Sequence, residues 1–525
     1  MLQPIAIDTN SFPELRQKHC VYVDKTAYFH RLITRLDARR FFLARPRRFG
    51  KSMMISTLQA IFEGRRELFD DLDISRTDWK WEKYPVLYFN MGFAASSISF
   101  EEFRRNFQLT VRRSINAAGG TYDEKETPAG NFGMAIDELP KGNDSKGVVI
   151  LIDEYDDPVA QLLAKPDEAE KVRECLADFY HQMKDRVEKI RFLMITGVSK
   201  FTKMSVFSAL SNLVDLSFED EYATMLGYTE EELDRFFSEH TRAHAQRMGL
   251  SYEEYRAELK RWFNGYRFGK FNKETVYNPV SIGMNLSLQE PVFSSIWSST
   301  GKASMLMNFL KRQDFLGVDM DSVQNVRERD FDVSDIRALR TVPMLFQTGY
   351  LTIKDYDFRR QSYTLGVPDV EVRQDLATMT TSVIANQDST WVSQLSDKMF
   401  DANWDAFFMG LKSLYAAMPY GPMEGNIQEY SFERVLLTLL WSQAIECRTE
   451  ERQANGQADI VAEHPCGITI FELKVNEPVE AALEQVRRKG YDAPYRAKGV
   501  PVWLIGLSFD RQTRQLLDAK AEKVV

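Results

Sequence analysis

The chain has 525 residues, a net charge of −9 and a composition that is 44% hydrophobic and 27% charged. This length exceeds what one hydrophobic core usually serves, so several domains are expected, and the composition excludes a wholly disordered chain. The balance of 76 Asp and Glu against 67 Lys and Arg argues against a surface that is basic throughout, as a nucleic-acid binder would need to neutralise phosphates.

The four cysteines, Cys20, Cys175, Cys447 and Cys466, are far apart and form no Cys-x-x-Cys pair. This spacing predicts neither a disulfide framework nor a zinc site, and it fits a reducing compartment. The first residues lack the basic segment and apolar run of a secretory signal, and nowhere do about 18 apolar residues follow one another. We therefore expect a cytoplasmic protein that does not span a membrane.

Four short apolar runs in the first third of the chain indicate buried parallel strands. The runs are Phe41–Ala44, Val86–Phe89, Val148–Ile152 and Phe192–Ile195. Amphipathic segments separate them, which is typical of crossover helices in an α/β sheet. The segment 117–144 is rich in Gly, Pro and Asn and is predicted to be a loop.

The middle of the chain is mainly helical and then shows a helix-and-hairpin pattern. Residues 222–262 have helical periodicity, with Thr229–Leu233 as a capped start. Ile336–Phe346 is predicted to be a helix that leads into strands at Tyr350–Ile353 and Tyr363–Leu365. This order indicates a winged-helix-like unit.

These patterns predict an α/β protein of three parts. The first, 1–220, has the alternation of a phosphate-binding core, and the second, 221–375, is a helical lid followed by the winged-helix-like region. The third, 376–525, begins with a helical stretch over 388–418 and a Pro/Gly-rich segment at 419–426. Its last strands carry the polar residues discussed below.

A phosphate-binding loop is indicated directly after the first strand. Arg45–Ser52 reads R-P-R-R-F-G-K-S and is followed by a helical run. A P-loop needs inward-pointing backbone N–H groups, a lysine for the β- and γ-phosphates and a Ser or Thr for Mg²⁺. Gly50, Lys51 and Ser52 fit these roles. Arg45 occupies the position of the first glycine, so the motif alone is weak.

A second strand end supplies acids that suit a nucleotide site. Val148–Ile152 is followed by Asp153 and Glu154. A strand-end Asp can hold the Mg²⁺ shell, and an adjacent Glu can polarise the attacking water. The alternative is a solvated acidic turn, because Asp156 and Asp157 crowd the same segment. With the loop upstream, we favour the nucleotide interpretation.

Further polar groups are candidates for the same site. Thr196 ends the next strand and can sense the γ-phosphate or orient the water, although strand-end hydroxyls also serve structure alone. Arg48, together with Arg47, can stabilise transition-state charge or simply cover the loop, and the residues leave both alternatives open.

A second constellation lies near the C-terminus. Asp459 precedes a turn, and Glu472 and Lys474 then lie on one face of the alternating run Ile468–Val475. A hairpin would bring the three side chains together. Two carboxylates can hold Mg²⁺ or Mn²⁺, and the lysine can neutralise developing charge. The alternative is a salt-bridged surface hairpin, but the apolar neighbours indicate a buried strand.

Neighbouring helical stretches add to this constellation. Glu433 opens one of them, at a distance suited to a third carboxylate. The other, which follows the second strand, carries amide, basic and aromatic side chains: Gln485, Arg487, Arg488, Lys489 and Tyr491. Basic and aromatic groups beside a metal suit a nucleic-acid backbone, so nucleic acid, and DNA in particular, is the expected partner.

The chain resembles the bacterial AAA-ATPase-like proteins that carry a C-terminal PD-(D/E)XK nuclease domain. Motifs in the family's order run through nearly the whole chain: Tyr22–Thr26, Arg45–Ser52, Ile152–Asp156, Trp262–Gly269, Tyr277–Pro279, Thr348–Leu351 and the C-terminal acids and lysine. The resemblance implies a P-loop ATPase core, a helical and winged-helix-like middle, and a restriction-endonuclease-like α/β domain. The missing first glycine agrees with the family's R-P-R-R-F-G-K-[ST] loop.

By position in these motifs, the resemblance also implies roles for single residues. Four would serve ATP, Mg²⁺ and hydrolysis at the nucleotide site: Lys51, Ser52, Asp153 and Glu154. Four match the nuclease active-site pattern: Glu433, Asp459, Glu472 and Lys474. Of these, Asp459 and Glu472 would be the metal ligands. Gln485 and Tyr491 match the Gln…Tyr helix of the exonuclease branch.

Three functions fit the sequence. The first is an ATP-regulated, metal-dependent DNase. The second is an ATP-driven switch whose nuclease fold only recognises nucleic acid or a partner, and the third is an ATP-binding scaffold without turnover. Arg267 either reaches the nucleotide of a neighbouring subunit in a homo-oligomer or belongs to a structural corner, and the structural role is favoured.

Overall fold

The computed structural model describes residues 2–97, 99–142, 146–200, 213–289, 292–296, 321–331, 340–417, 429–453 and 456–524. The chain divides into two compact units. The first comprises Met1–Ser294 and Asp319–Asp369, and the second comprises Ser295–Val318 and Val370–Val525. The domain boundaries expected at 220 and 375 remain predictions.

The first unit alternates between strands and helices, as predicted. Its strands, within the described residues, are β1 (Arg40–Ala44), β2 (Val86–Asn90), β3 (Val148–Asp153), β4 (Ile190–Gly197), β5 (Val214–Asp215), β6 (Asn264–Tyr266), β7 (Val276–Tyr277), β8 (Val323–Arg327), β9 (Thr352–Asp357) and β10 (Ser362–Gly366). The helices described there are α1 (Phe12–Gln17), α2 (Thr26–Thr34), α3 (Lys51–Phe62), α4 (Met91–Ala95), α5 (Phe100–Ala117), α6 (Pro128–Glu138), α7 (Asp157–Gln161), α8 (Pro166–His181), α9 (Glu230–Met248), α10 (Tyr252–Phe263), α11 (Pro279–Ser287) and α12 (Thr341–Thr348).

Five parallel strands form the central sheet in the described part of this unit, in the order β2-β3-β4-β1-β5. All four predicted strands are confirmed. β3 is buried at every residue, since helices such as α3 and α4 pack against it. The carboxyl ends of the strands meet at one edge, which is where open α/β sheets bind ligands.

The middle of the chain also follows the predicted order. α9 begins with a reciprocal capping box, in which Thr229 Oγ1 accepts from the Glu232 N–H and the Glu232 carboxylate accepts from the Thr229 N–H. Farther on, α12 precedes β9 and β10, and β10 pairs with both β8 and β9 in an antiparallel sheet. Residues 336–339 of the helix predicted over Ile336–Phe346 lie outside the described residues.

The loop predicted over 117–144 is wrong for part of that segment. Pro128–Glu138 forms α6, and the hydroxyl of its N-cap, Thr127, accepts from the Gly130 N–H. Proline in the first turn of a helix is favourable, because its missing N–H needs no partner there. Asn131 and Gly133 are buried helical positions rather than loop residues.

The second unit contains the mixed sheet expected at the C-terminal end. Its described elements are α13 (Val370–Ala385), α14 (Ser389–Phe400), α15 (Trp404–Ala416), α16 (Glu429–Trp441), β11 (Glu446–Gln453), β12 (Gly456–His464), β13 (Gly467–Val475), α17 (Val479–Lys489), β14 (Val502–Phe509) and β15 (Leu516–Lys523). The strand order is β11-β12-β13-β14-β15, and only β13 and β14 pair in parallel among these described strands. The Pro/Gly-rich segment at 419–426 lies outside the described residues.

No described helix of either unit has the length and apolar character needed to cross a membrane.

Two apolar clusters cover the two faces of this mixed sheet. One contains Phe407, Leu436 and Phe471, and the other contains Ile470 and Leu483. Because adjacent residues of β13 belong to different clusters, that strand is enclosed on both faces. A carboxylate or ammonium group in β13 therefore lies within a buried strand, where it costs folding free energy unless it is paired.

Candidate functional site

The phosphate-loop sequence joins β1 to α3 at the carboxyl edge of the central sheet. Gly50 is the N-cap of α3 and has a φ of 84°, and Arg48 has a φ of 68°. Two left-handed residues so close together make a tight turn before the helix. Ser52 lies in the first turn of α3, where N–H groups without intrahelical partners favour an anion.

Lys51 is held inside this loop. Its Nζ donates to the carbonyl oxygens of Arg45 and Pro46, at 2.9 and 2.7 Å. Burial lowers the pKa of Lys51 to about 8, and the negative charges of Asp153 and Asp156 oppose that shift. The ammonium therefore lies close to the acids at the strand ends, as a phosphate-binding lysine must.

Asp153 ends β3 beside the loop. Thr196 Oγ1, in β4, donates to Asp153 Oδ1 at 2.6 Å. Asp153 Oδ2 is buried and has no hydrogen-bond partner in the part of the chain that the structure describes. A buried carboxylate oxygen of this kind fits Mg²⁺, which prefers oxygen ligands. Thr196 is engaged with Asp153, and its contact with phosphate or water remains a prediction.

Glu154 follows with a backbone conformation that is rare outside glycine, at a φ of 56°. Its carboxylate lies directly over Gly92, where a Cβ atom would stand 2.0 Å from Glu154 Oε2. Burial, followed by the charge of Asp153, raises the pKa of Glu154 to about 7. A carboxylate with this pKa can accept a proton from water near neutral pH.

Two residues beside Glu154 were not predicted. Asn90 ends β2 opposite Asp153, and its Oδ1 accepts from the Gly92 N–H at 2.9 Å. Gly92 leaves the space that the Glu154 carboxylate occupies. In the sequence, Asn90 directly follows the predicted strand Val86–Phe89. This position indicates that its amide lies at the same sheet edge as Asp153.

The acidic turn after β3 is not solvated. Asp156 is buried and accepts from the N–H groups of Val198 and Ser199 at 3.2 and 2.8 Å. Tyr155 adds a hydrogen bond from its hydroxyl to the Ser199 carbonyl at 2.8 Å. The turn is thereby fastened to the end of β4. For Asp153 and Asp156, burial excludes the alternative of a solvated turn.

Arg45, at the position of the missing first glycine, does not line the loop. Its buried guanidinium donates to the carbonyl oxygens of Ser217 and Tyr222 at 2.8 and 3.3 Å. It also lies 4.1 Å from the centroid of the Phe268 ring. A glycine is unnecessary here because the left-handed positions come later in the loop. The arginine instead fixes the first loop residue to the segment after β5.

Introducing the first glycine of the common P-loop pattern at position 45 is expected to destabilise the folded protein. Arg45→Gly would leave a cavity and remove the guanidinium donor of three carbonyl oxygens, those of Ala44, Ser217 and Tyr222, lowering the free energy of unfolding by about 3 kcal/mol. Thermal unfolding measures the loss. Arg76→Gly is the control, because that side chain is 73% exposed, and it should cost less than about 1 kcal/mol. Equal losses in the two variants would contradict the structural role.

Arg47 and Arg48 border the loop. Arg47 Nη2 donates to Asp157 Oδ1 at 3.1 Å, which ties the loop to the start of α7. Arg48 is half-buried at the left-handed position. Its assignment to the nucleotide remains a prediction.

The segment around Arg267 forms a structural corner behind the loop. Phe49 packs against Tyr266 and Phe268, with ring centroids 4.7 and 5.3 Å away. The buried guanidinium of Arg267 donates to backbone carbonyl oxygens of its own chain: those of Gly269, Lys270, Asn272 and Lys354. This geometry agrees with the structural role favoured from the sequence and not with an arginine finger.

A lysine is expected to be a poor substitute for Arg267. It cannot present the planar fork that reaches several carbonyl groups at once, so Arg267→Lys should lower the free energy of unfolding by about 2 kcal/mol. ATP hydrolysis per folded molecule should stay within about threefold of the wild type. A fall of about a thousandfold in hydrolysis at unchanged stability is what loss of an arginine finger would give, and it would contradict the corner role.

The acids and the lysine near the C-terminus converge on two adjacent strands. Asp459, in β12, accepts through Oδ2 from the Leu473 N–H at 2.8 Å. Leu473 separates Glu472 from Lys474 in β13, and Lys474 Nζ lies 3.0 Å from Glu472 Oε1. The Glu472 side chain is fully buried. That burial excludes the alternative of a salt-bridged surface hairpin.

Gln485 and Tyr491 contribute to this group from the side of α17. Gln485 Nε2 donates to Glu472 Oε1, the oxygen that Lys474 also contacts. Tyr491 is buried, and its hydroxyl accepts from the Gln457 N–H at 3.1 Å. Its hydroxyl thereby supports the start of β12, and contact of Tyr491 with nucleic acid remains a prediction.

The other predicted residues of this unit lie on two helices. Glu433 is buried on α16, which packs against β11, β12 and β13. Arg487 and Arg488 are exposed on α17, and Arg487 pairs with Glu522 at the neighbouring strand β15. An exposed ion pair of this kind contributes little stability, so a phosphate can replace the acid at low cost.

Asp459 and Glu472 form a donor set that suits magnesium. Within the described ranges, no group of three or more His, Cys, Asp and Glu side chains is arranged to hold a metal by itself. Mg²⁺ commonly takes one or two protein carboxylates and completes its shell with water and substrate phosphates. Two carboxylates on neighbouring strands match that requirement.

Two family models and a bacterial protein match the chain. The family model described as "Predicted AAA-ATPase" matches residues 4–207. The model described as "PD-(D/E)XK nuclease superfamily" matches residues 427–519. An Azotobacter chroococcum mcd 1 protein, described as an uncharacterized protein in the vnfD 5′ region, is 31% identical over 536 residues, covering 99% of each chain.

Proposed function

The chain belongs to the family of predicted AAA-ATPases and carries a C-terminal domain of the PD-(D/E)XK nuclease superfamily, and from this we propose that it is a metal-dependent DNase controlled by ATP. The observation that carries the proposal is the convergence of Asp459, Glu472 and Lys474 on one buried strand pair. Charged groups in such a strand cost folding free energy, so a catalytic use accounts for them better than stability does.

At the nucleotide site, Lys51 would exchange two loop carbonyls for oxygens of the β- and γ-phosphates. Ser52 and Asp153 would hold Mg²⁺, which neutralises phosphate charge when bound. Glu154, with a pKa of about 7, would accept a proton from the attacking water. ATP would thus be bound and hydrolysed at the carboxyl edge of the central sheet.

At the second site, Asp459 and Glu472 would hold Mg²⁺ or Mn²⁺, which polarises the scissile phosphate when bound. Lys474 Nζ would stabilise the charge that develops on the phosphate. Gln485 orients the Glu472 carboxylate through its hydrogen bond to Oε1. A third acid and the contacts with other phosphates would come from the two flanking helices: Glu433, Arg487 and Arg488.

The test is a cleavage assay of the purified protein on linear, circular and single-stranded DNA and on RNA. Each substrate is incubated with Mg²⁺ or Mn²⁺, with and without ATP. We expect cleavage of DNA that requires the metal and whose rate changes with ATP. ATP hydrolysis without cleavage of any substrate would favour the ATP-driven switch. ATP binding without phosphate release or cleavage would favour the scaffold.

A further inference from the structure

Two exposed phenylalanine rings meet at the tip of the winged-helix-like region. Phe358 lies in the turn between β9 and β10, and Phe271 lies in the loop between β6 and β7. They are 69% and 61% exposed, and their ring centroids are 6.0 Å apart. Phe93, the next most exposed phenylalanine of the described residues, is 42% exposed. Two adjacent rings in water forgo the stabilisation of burial, which points to a ligand.

The backbone beneath these rings is firmly held. The Phe271 N–H donates to Asp220 Oδ1 at 2.9 Å. Arg267 joins the loop of Phe271 to β9, the strand that leads into Phe358, because its guanidinium donates to the Asn272 carbonyl on one side and to the Lys354 carbonyl on the other, each at 3.1 Å. The corner built around Arg267 therefore keeps the two rings together. A preorganised aromatic surface loses little entropy when it binds.

Charged side chains surround the rings. Arg359 and Arg360 follow Phe358 in the turn and are exposed, and Lys273 is exposed close to Phe271. Three exposed acids, Asp355 and Asp357 in β9 and Glu274 after Lys273, equal these basic side chains in number. Because the named charges balance, general attraction to phosphates contributes little, and binding would depend on the rings, which can stack on any base.

We propose that these two rings, the Phe271–Phe358 platform, bind single-stranded nucleic acid by stacking on unpaired bases. Arg359 and Arg360 contact the phosphates of the same strand. Bases within a duplex are stacked on one another and closed to such rings, so the platform selects unpaired strands. This inference rests on the proposed action on nucleic acid. It specifies that the first unit recognises single strands rather than duplexes.

The experiment measures binding of the full chain to a fluorescein-labelled oligo(dT) of about 20 nucleotides by fluorescence anisotropy. EDTA is present so that no metal-dependent cleavage occurs. Phe271→Ala/Phe358→Ala should weaken binding about tenfold or more, whereas Phe358→Trp should retain it because tryptophan also stacks. Leu36→Ala is the matched control, since Leu36 is 99% exposed in the same unit. A duplex of the same length should bind more weakly than the single strand.

The outcomes separate this proposal from the DNase proposal. Equal affinity of the wild type and the double variant for oligo(dT) would overturn the platform and leave its rings to a protein partner. Tighter binding of the duplex would overturn it as well. If the double variant loses affinity while the wild type cleaves nothing, the platform stands and the DNase proposal fails. If the wild type cleaves DNA and the double variant binds oligo(dT) as tightly as the wild type, the DNase proposal stands and the platform proposal fails.

Discussion

Replacing Lys474 with alanine is expected to lower metal-dependent DNA cleavage by at least about a hundredfold. Lys474 Nζ lies 3.0 Å from Glu472 Oε1 and 3.0 Å from the Leu473 carbonyl oxygen, so its charge is fixed beside the carboxylates. During phosphodiester hydrolysis, negative charge grows on the phosphate oxygens. A fixed cation stabilises that transition state more than the ground state. Removing the Lys474 ammonium should therefore mainly lower the rate of DNA cleavage.

Lys520→Ala is the matched control for this variant. Lys520 lies in β15 of the same sheet, and its side chain is 57% exposed. Both variants are assayed on the same labelled DNA at saturating Mg²⁺, and thermal unfolding shows whether each one folds. A Lys474→Ala protein that folds and cleaves at more than about a tenth of the wild-type rate would contradict the assigned site.

The second large effect is expected at the phosphate loop. Lys51→Met should lower ATP hydrolysis by about a hundredfold or more, because the ammonium stabilises charge on the transferred phosphate. Methionine is unbranched and nearly as long as lysine, but it leaves the carbonyls of Arg45 and Pro46 without their donor. Thermal unfolding is therefore measured alongside. Lys125→Met, at an exposed lysine of the same unit, should hydrolyse ATP as the wild type does.

The same variant tests whether the two activities are coupled. If ATP controls cleavage through this loop, DNA cleavage by Lys51→Met should no longer respond to ATP. Cleavage is followed across a range of ATP concentrations in both proteins. Identical responses would contradict control through Lys51, even if the hydrolysis rate falls as expected.

The place of the candidate nucleotide site in the fold could be predicted because its strands are buried. The run Val148–Asp153 is apolar up to its last residue, so the sequence itself marks both the strand and the acid at its end. Parallel strands then bring Asp153 to the edge where Lys51 begins a helix. In the second unit, the alternation around Glu472 and Lys474 similarly indicates from sequence alone that they share a face of the strand.

Other features depend on partners that local sequence does not reveal. Arg45 resembles a loop cation, but it donates to carbonyl groups 172 and 177 residues farther along the chain. Tyr491 resembles a surface aromatic beside basic residues, yet its hydroxyl accepts from a backbone group 34 residues earlier. Whether a long polar side chain is buried is decided by such distant partners, which no local pattern contains.

The interior position of β1 in the sheet has a consequence for synthesis of the chain. β1 lies between β4 and β5, so the apolar residues Phe41–Leu43 gain both neighbouring strands only after Asp215 has been made. At about 5–20 residues per second, the intervening ~170 residues take roughly 10–30 s to translate. Until β5 leaves the ribosome, β1 can pair only with β4, and its other edge is open to pairing with another chain.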